Sequence, residues 1–175
     1  MLSKTIQDAM NEQIKNELYS AYQHLSMSAY CKSVNLPGCA HWMLVQFREE
    51  TEHALKFYDF IQDRGGRVVL EAIDQPINEF GSPLEVFEQA LAHEQKVTKQ
   101  INDLYGLVIR EEDYASQAFL QWFVTEQVEE EKNVGDVVET LKMGGRQERS
   151  ALHARQGTGR TRGPRVAIVH YDLMT

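Results

Sequence analysis

Five residues able to hold a metal or move a proton sit at equivalent places in the chain's periodicity: Glu17, Glu50, Glu94, and Gln127 with Glu130. Each interrupts a series of apolar residues spaced three or four apart, which is the spacing of one helix face. A carboxylate on such a face is buried, and a lone buried carboxylate costs several kcal/mol. Four of them pointing at one another cost more, because like charges raise each other's pKa. A bound cation removes the conflict. His53 follows Glu50 by three residues, so both project from the same face. Such a Glu-x-x-His pair offers one bridging carboxylate and one nitrogen ligand, as in carboxylate-bridged two-metal bundles. Oxygen-rich ligation with one imidazole suits iron or manganese, and zinc less specifically. A second acidic set, Glu49, Glu126 and Glu129, flanks the first and could hold a further cation. Taken singly these signals are weak: acidic helices produce Glu-x-x-His by chance, and an acidic run such as residues 126–131 is usually a solvated face. Their coincidence carries the metal reading.

The elements that position these residues are helices. Residues 4–33 contain neither glycine nor proline. Pro37 suits a helix first turn, and the next stretch runs to Arg64 before Gly65-Gly66. Ser82-Pro83 with Glu85 reads as an N-cap, a first-turn proline and an acid at the positive helix end. That third helix runs to about Glu111. After a polar turn at Glu112-Asp113, a fourth spans Tyr114 to about Met143, where Gly144-Gly145 closes it. The apolar stripes are Ile6, Met10, Ile14 and Ala21 around Glu17; Ala40, Met43, Phe47, Ala54, Phe57 and Ile61 around Glu50; Phe87, Ala90 or Leu91, Val97, Ile101, Leu104 and Val108 around Glu94; and Leu120, Phe123, Val134, Val137 and Leu141 around Gln127 and Glu130. Each polar interruption falls near its helix midpoint, so all should lie at one level of an all-α four-helix bundle. The two short links make antiparallel pairs. The long link, residues 65–82, is a crossover: extended, it reaches about 60 Å, and the helices are about 42 Å long. Helices two and three then run parallel.

The composition excludes several classes. Apolar residues make up 42% and charged residues 25% of the 175, too apolar for a disordered chain. No apolar run approaches the roughly 20 residues of a membrane helix, and Met1 to Thr5 carries no signal core. The two cysteines, Cys31 and Cys39, read as free thiols of a reducing cytosol, giving an expected cytoplasmic location. The net charge of −8 disfavours nucleic acid and favours cations. That charge is uneven: residues 1–143 carry an acidic excess, while residues 144–175 hold six arginines against Glu148 and Asp172. The expected division is therefore a bundle over 1–143 and a basic, Gly/Arg-rich tail over 144–175. His41 and His93 read as surface or packing residues. Trp42, Trp122, Phe47, Phe57, Phe119 and Phe123 read as core or helix-contact aromatics, and Met10, Met27 and Met43 as core fillers.

Four segments carry a close family resemblance: residues 16–22, Asn-Glu-Leu-Tyr-Ser-Ala-Tyr; Glu49-Glu50-Thr51-Glu52-His53; His93-Glu94; and residues 121–131. Over about residues 1–143 the chain resembles bacterial and archaeal non-haem ferritins. The resemblance implies a ferritin-like bundle and a ferroxidase centre. There Glu17, Glu50 and His53 would hold one iron, and Glu50, Glu94 and Glu130 the other, with Gln127 lining the centre. Glu49, Glu126, Glu129 and Glu130 match a third iron site. It further implies a 24-subunit homo-oligomeric shell that oxidises Fe(II) with O₂ or H₂O₂ and stores a ferric mineral, without haem, nucleic acid or membrane as partners.

Competing readings are a di-iron oxidoreductase or peroxidase of the rubrerythrin kind and a cytokine-like structural bundle. Rubrerythrins and bacterioferritins carry a second Glu-x-x-His on the fourth helix, where this chain has Gln127-x-x-Glu130; no Cys-x-x-Cys pair is present. A structural bundle would not place five metal-competent residues at one level. Two features depart from the non-haem ferritin pattern. The family often has tyrosine at the position of His24, which here could tune electron transfer, reach the metal, stand behind the ligands or face solvent. The tail does not resemble the family's apolar fifth helix. Allowed codons for residues 146–159 exist whose +1 frame reads as such a helix, which marks the tail as a candidate frameshift. A weak helical segment at 146–156 and an extended Val166–Val169 are the structures this tail suggests.

Overall fold

The computed structural model describes the backbone of residues 1–157 and the side chains of residues 1–144. It consists of α1 (Lys4–Ser33), α2 (Pro37–Asp63), α3 (Pro83–Arg110) and α4 (Tyr114–Gly157), with no strand among the described residues. The helix starts follow local chemistry. The Ser3 hydroxyl accepts from the Ile6 amide at 3.3 Å, and the Ser82 hydroxyl from the Glu85 amide at 3.1 Å. Pro37 and Pro83 stand in first turns, where a missing N–H costs nothing. Gly65, at φ +69°, follows α2 in the left-handed region open to glycine. Gly66 then turns the chain tightly: a Cβ there would come within 2.9 Å of the Gln7 side-chain oxygen and 3.0 Å of the Ile61 carbonyl.

The long link is a strap along α1. Extended backbone without a sheet neighbour needs other hydrogen-bond partners, and α1 supplies them from side chains. The Arg67 amide donates to Gln7 Oε1 at 2.8 Å, and the Val69 amide to Asn11 Oδ1 at 3.0 Å. Farther along, the Ile77 amide donates to Gln23 Oε1 at 3.1 Å, while the Ser26 hydroxyl donates to the Ile77 carbonyl at 2.7 Å. From Gln7 to Ser26 is about 28 Å of helix at 1.5 Å per residue. The strap therefore carries the chain from the N-terminal to the C-terminal end of α1. With α2 antiparallel to α1, this makes α3 parallel to α2, as the crossover reading requires.

The core is split in two. One apolar block joins Ile6, Met10, Ile14, Phe57, Ile61, Ile101, Leu104, Leu120 and Phe123; the other joins Met27, Cys31, Met43, Phe80, Phe87, Val134 and Val138. Glu17, Glu50, Glu94, Gln127 and Glu130 occupy the layer between them. Two stripe positions shift by one residue: Val138 rather than Val137 is fully buried, and Phe47 is half-buried beside a buried Gln46.

One feature differs from the sequence expectation and a second was not foreseen by it. The fourth helix does not stop at Gly144-Gly145 but continues to Gly157. Each glycine costs a helix about 1 kcal/mol, which the Ala, Leu, Arg, Gln and Glu residues that follow counter. The remaining tail readings, including Val166–Val169 and the frameshift, lie outside the described residues. The second is an ion pair. Arg64, just past α2, makes a two-pronged contact with Asp113 before α4, at 3.0 and 2.8 Å. Asp113 also caps α4 by accepting from the Ser116 amide at 2.9 Å.

The Arg64 hydrogen bond holds the Asp113 carboxyl down at about 2, from an ordinary 3.8. A depressed carboxylate pKa stabilises the fold above the ordinary value and loses that contribution as pH falls through the depressed one. Asp113→Asn keeps a capping oxygen and loses the ion pair. It should cost about 1 kcal/mol at pH 7. The gap to wild type, followed by thermal unfolding in circular dichroism, should close as pH is lowered from 3.8 towards about 2.

Candidate metal centre

The level between the two apolar blocks is set by four helix midpoints, and the sequence supplies carboxylates there. Glu17 is 1% exposed, Glu50 2%, Glu94 0% and Glu130 5%. Their hydrogen bonds are too few. Gln13 donates to one Glu17 oxygen at 2.8 Å and Gln127 to one Glu94 oxygen at 3.3 Å. The other oxygen of each, with one oxygen of Glu130, is buried without a partner. Buried polar atoms are almost always paired, so three unpaired acid oxygens converging on one level mark a place built for something electropositive.

Three sets of ligand atoms approach closely enough to surround a cation, each within 4.8 Å. The first joins Glu17, Glu50 and His53; the His53 Nδ1 to Glu50 Oε2 distance is 3.3 Å. The second joins Glu50, Glu94 and His24. The third joins His53, Glu126 and Glu130. Glu50 is common to the first two sets and His53 to the first and third, so the three are contiguous. Glu130 thus offers its oxygen beside His53 and Glu126 rather than within the Glu50–Glu94 set. Glu49 is half-buried and accepts from the Gln46 amide, and Glu129 is exposed. Neither enters a set among the described residues, but both are near enough to push Glu130 upward.

The protonation states follow from burial and crowding. Burial raises Glu17 from 4.5 to about 7, opposed by the Gln13 hydrogen bond. Glu130 also stands at about 7, through burial and then Glu49, Glu126 and Glu129. Glu50 and Glu94 are pushed well above 4.5, by burial first and then by neighbouring acids: Glu94 and Glu17 for Glu50, Glu130 and Glu17 for Glu94. Burial lowers His53 from 6.5 to about 4, with Lys56 as the second cause, and His24 to about 3, with His93 as the second. Near neutral pH the imidazoles are therefore neutral with a free lone pair, and the raised carboxyls keep part of their protons, which an entering cation displaces. The donor set of carboxylates, one amide and neutral imidazole fits a pair of hard to borderline divalent metals.

Aromatic rings supply much of the burial that lowers His53. His53 stands 5.2 Å from the Trp122 ring and 6.0 Å from Phe123, both nearly edge-on, and Phe57 packs on Phe119 and Phe123. Trp122 is not a core residue: it is 39% exposed, with the Lys56 ammonium 4.2 Å over its ring. His93 packs as expected, against Ser20 at 2.7 Å and the Tyr19 ring at 5.6 Å; His41 is exposed. The residue left open by the sequence is His24, which is fully buried. It continues the α1 stripe by a step of three from Ala21, the signal that places it on the inner face.

The ferritin-like domain family matches residues 7–144. A bacterial non-heme ferritin of Staphylococcus saprophyticus is 44% identical over 131 residues, 75% of this chain and 78% of the relative. One from Bacteroides fragilis is 42% identical over 145 residues, covering 83% and 91%. Among solved structures, an open-pore ferritin from the archaeon Archaeoglobus fulgidus superposes with a TM-score of 0.82 at 44% identity, over 90% of this chain and 97% of that one.

Carboxyls with raised pKa values bind more protons in the native than in the unfolded state between 4.5 and about 7. Metal-free protein should therefore lose stability as pH rises through that interval. At pH 7.5, Glu50→Gln should raise the thermal midpoint of chelator-treated protein by about 3 °C or more, read by scanning calorimetry. Saturating Co(II) should reverse the order, because only the wild type retains the shared ligand.

Proposed function

The chain belongs to the ferritin family, and we propose that it stores iron by oxidising Fe(II) at the buried layer formed by Glu17, Glu50, His53, Glu94, Gln127 and Glu130. The observation that carries this reading is the set of unpartnered carboxylate oxygens enclosed between two apolar blocks. Two ferrous ions held side by side on a shared Glu50 can give O₂ or H₂O₂ two electrons together. The hard carboxylates favour the ferric product over the ferrous substrate. The protein's own part is to bind, neutralise and let go. Glu17 and His53 hold one ion and Glu94 the other, while carboxyl protons released on binding leave the layer without excess positive charge. Gln127 donates its amide to Glu94 and adds no charge. A neutral side chain there, in place of a fifth carboxylate, suits a centre whose product must depart for storage.

Glu126 and Glu130, with Glu49 and Glu129 beside them, form the proposed accessory site, reached from His53. Trp122 and Lys56 cover that side. The shell is proposed to contain 24 copies, to hold the mineral inside, and to assemble mainly through residues 1–143 in a reducing cytoplasm; no haem has a role. No helix among the described residues is long and apolar enough to cross a membrane.

The test is stopped-flow Fe(II) oxidation at the ferric absorbance, with particle size measured on the same samples. Glu50→Ala and His53→Ala should lower the initial rate by about a hundredfold or more while leaving helicity unchanged. Wild-type rates in either variant reject the centre. Glu126→Ala should alter the iron taken up per turnover and leave the first oxidation; loss equal to that of Glu50→Ala rejects the division into main and accessory sites. A chain ending at residue 143 should still elute as a particle of several hundred kilodaltons, and elution as a monomer or dimer rejects this account of assembly.

A further inference from the structure

The reading of the layer as a two-metal site leaves one inner side chain without a task. His24 is 0% exposed, and neither ring nitrogen makes a full hydrogen bond, although the backbone carbonyl of Ser20, one turn back, is close enough to act on the ring. A neutral imidazole carries one donor and one acceptor; with the donor turned to that carbonyl, the acceptor nitrogen is left unused in the interior, which costs its desolvation. Leucine or phenylalanine would fill the volume without that cost. The ring is not aimed at random. Its Nε2 lies 3.9 Å from Glu94 Oε1, an oxygen that is itself buried and unpartnered. One His24 nitrogen, one Glu50 oxygen and one Glu94 oxygen all fall within 4.8 Å of one another.

Those separations suit a shared cation. Two ligands each about 2.1 Å from one metal stand about 3 Å apart when cis and about 4.2 Å when trans. The 3.9 Å contact is inside that range, and a pair at the 4.8 Å limit must close by about 0.6 Å to stand trans and by about 1.8 Å to stand cis. At 3.9 Å the two atoms are too far apart for a direct hydrogen bond, whereas a metal between them is compatible with that spacing. On its own helix, the Ser20 hydroxyl, one turn back, is engaged with the His93 ring and the Asn16 carbonyl.

We propose that His24 is a direct ligand of the second metal, binding it together with Glu50 and Glu94. Each metal of the pair then has one imidazole, His53 on one side and His24 on the other. Nitrogen reaches both ions without a second Glu-x-x-His motif, because α1 rather than α4 supplies it. The second ion thereby gains a neutral, softer donor and holds its ferrous form more firmly than carboxylates alone would.

Co(II), which O₂ does not readily oxidise in such a set, is the probe. Chelator-treated wild-type protein is titrated calorimetrically, and X-ray absorption at the cobalt edge counts imidazoles from their ring scattering. The expected result is two Co(II) per chain at the pair and one imidazole per cobalt. In His24→Phe the second constant should weaken by about tenfold or more, and scattering should fall to one imidazole per two cobalts, while the first constant holds. Should phenylalanine prevent folding, as shown by lost helicity, His24→Leu takes its place. Unchanged constants and imidazole count in the folded variant overturn the assignment. Glu17→Ala is the control for the centre itself. If it removes one Co(II) while His24→Phe changes nothing, only the role of His24 falls. If the wild type binds no pair of ions, the two-metal reading falls with it.

Discussion

Mutual repulsion among carboxylates held away from water is the constraint that orders this molecule. Each of the four helices brings at least one acid to a common level, and the apolar blocks above and below deny that level solvent. The protein meets the constraint in three ways. It favours the protonated form of the acids, because burial and crowding raise their pKa values. It uses an amide, Gln127, where a further carboxylate would add charge. It leaves oxygens facing one another unpaired, so that a cation gains more there than any internal donor would. Stability and binding are therefore opposed in one set of atoms: the metal-free fold is strained where the loaded one is satisfied.

The long helices exist to make that opposition bearable. A four-turn apolar stripe on each side of the acids supplies enough buried surface, at roughly 25 cal/mol per Å², to hold four charged or protonated carboxyls in the middle. The aromatic group of Phe57, Phe119 and Phe123 concentrates this support next to His53 and fixes the ring edge-on. Gln13, one turn before Glu17, orients one carboxylate oxygen and leaves the other free to face the layer.

Much of this was legible in the residues because helical periodicity reports burial directly. The interrupted stripes located Glu17, Glu50, Glu94, Gln127 and Glu130, and the proline and glycine positions located three of the four helices to within a residue or two. What was not legible depends on three-dimensional pairing. Arg64 and Asp113 are separated by the long link and the whole of α3, and nothing local couples them. Trp122 looks like core by type, yet it is a partly exposed cover whose face is taken by a lysine. His24 lay on the stripe, but its unmet nitrogen becomes visible only when Glu94 is placed across from it. The helical segment expected at 146–156 is present, but the Gly144-Gly145 stop before it is not: the two glycines are carried inside one continuous α4.

The strap bound along α1 also sets an order of events. Residues 1–82 form one hairpin that carries its own tether, with Gln7, Asn11, Gln23 and Ser26 already occupied by the link. The second hairpin, α3 with α4, is equally local in sequence, and contacts close in sequence form fast. While the hairpins are apart, Glu17 with Glu50 and Glu94 with Glu130 face water, which screens the repulsion within each pair. Their conflict becomes costly when the two halves dock and water leaves. Acidity and cations therefore act on the seam between the two hairpins rather than on the helices themselves. The bundle is two hairpins joined at a charge-sensitive seam.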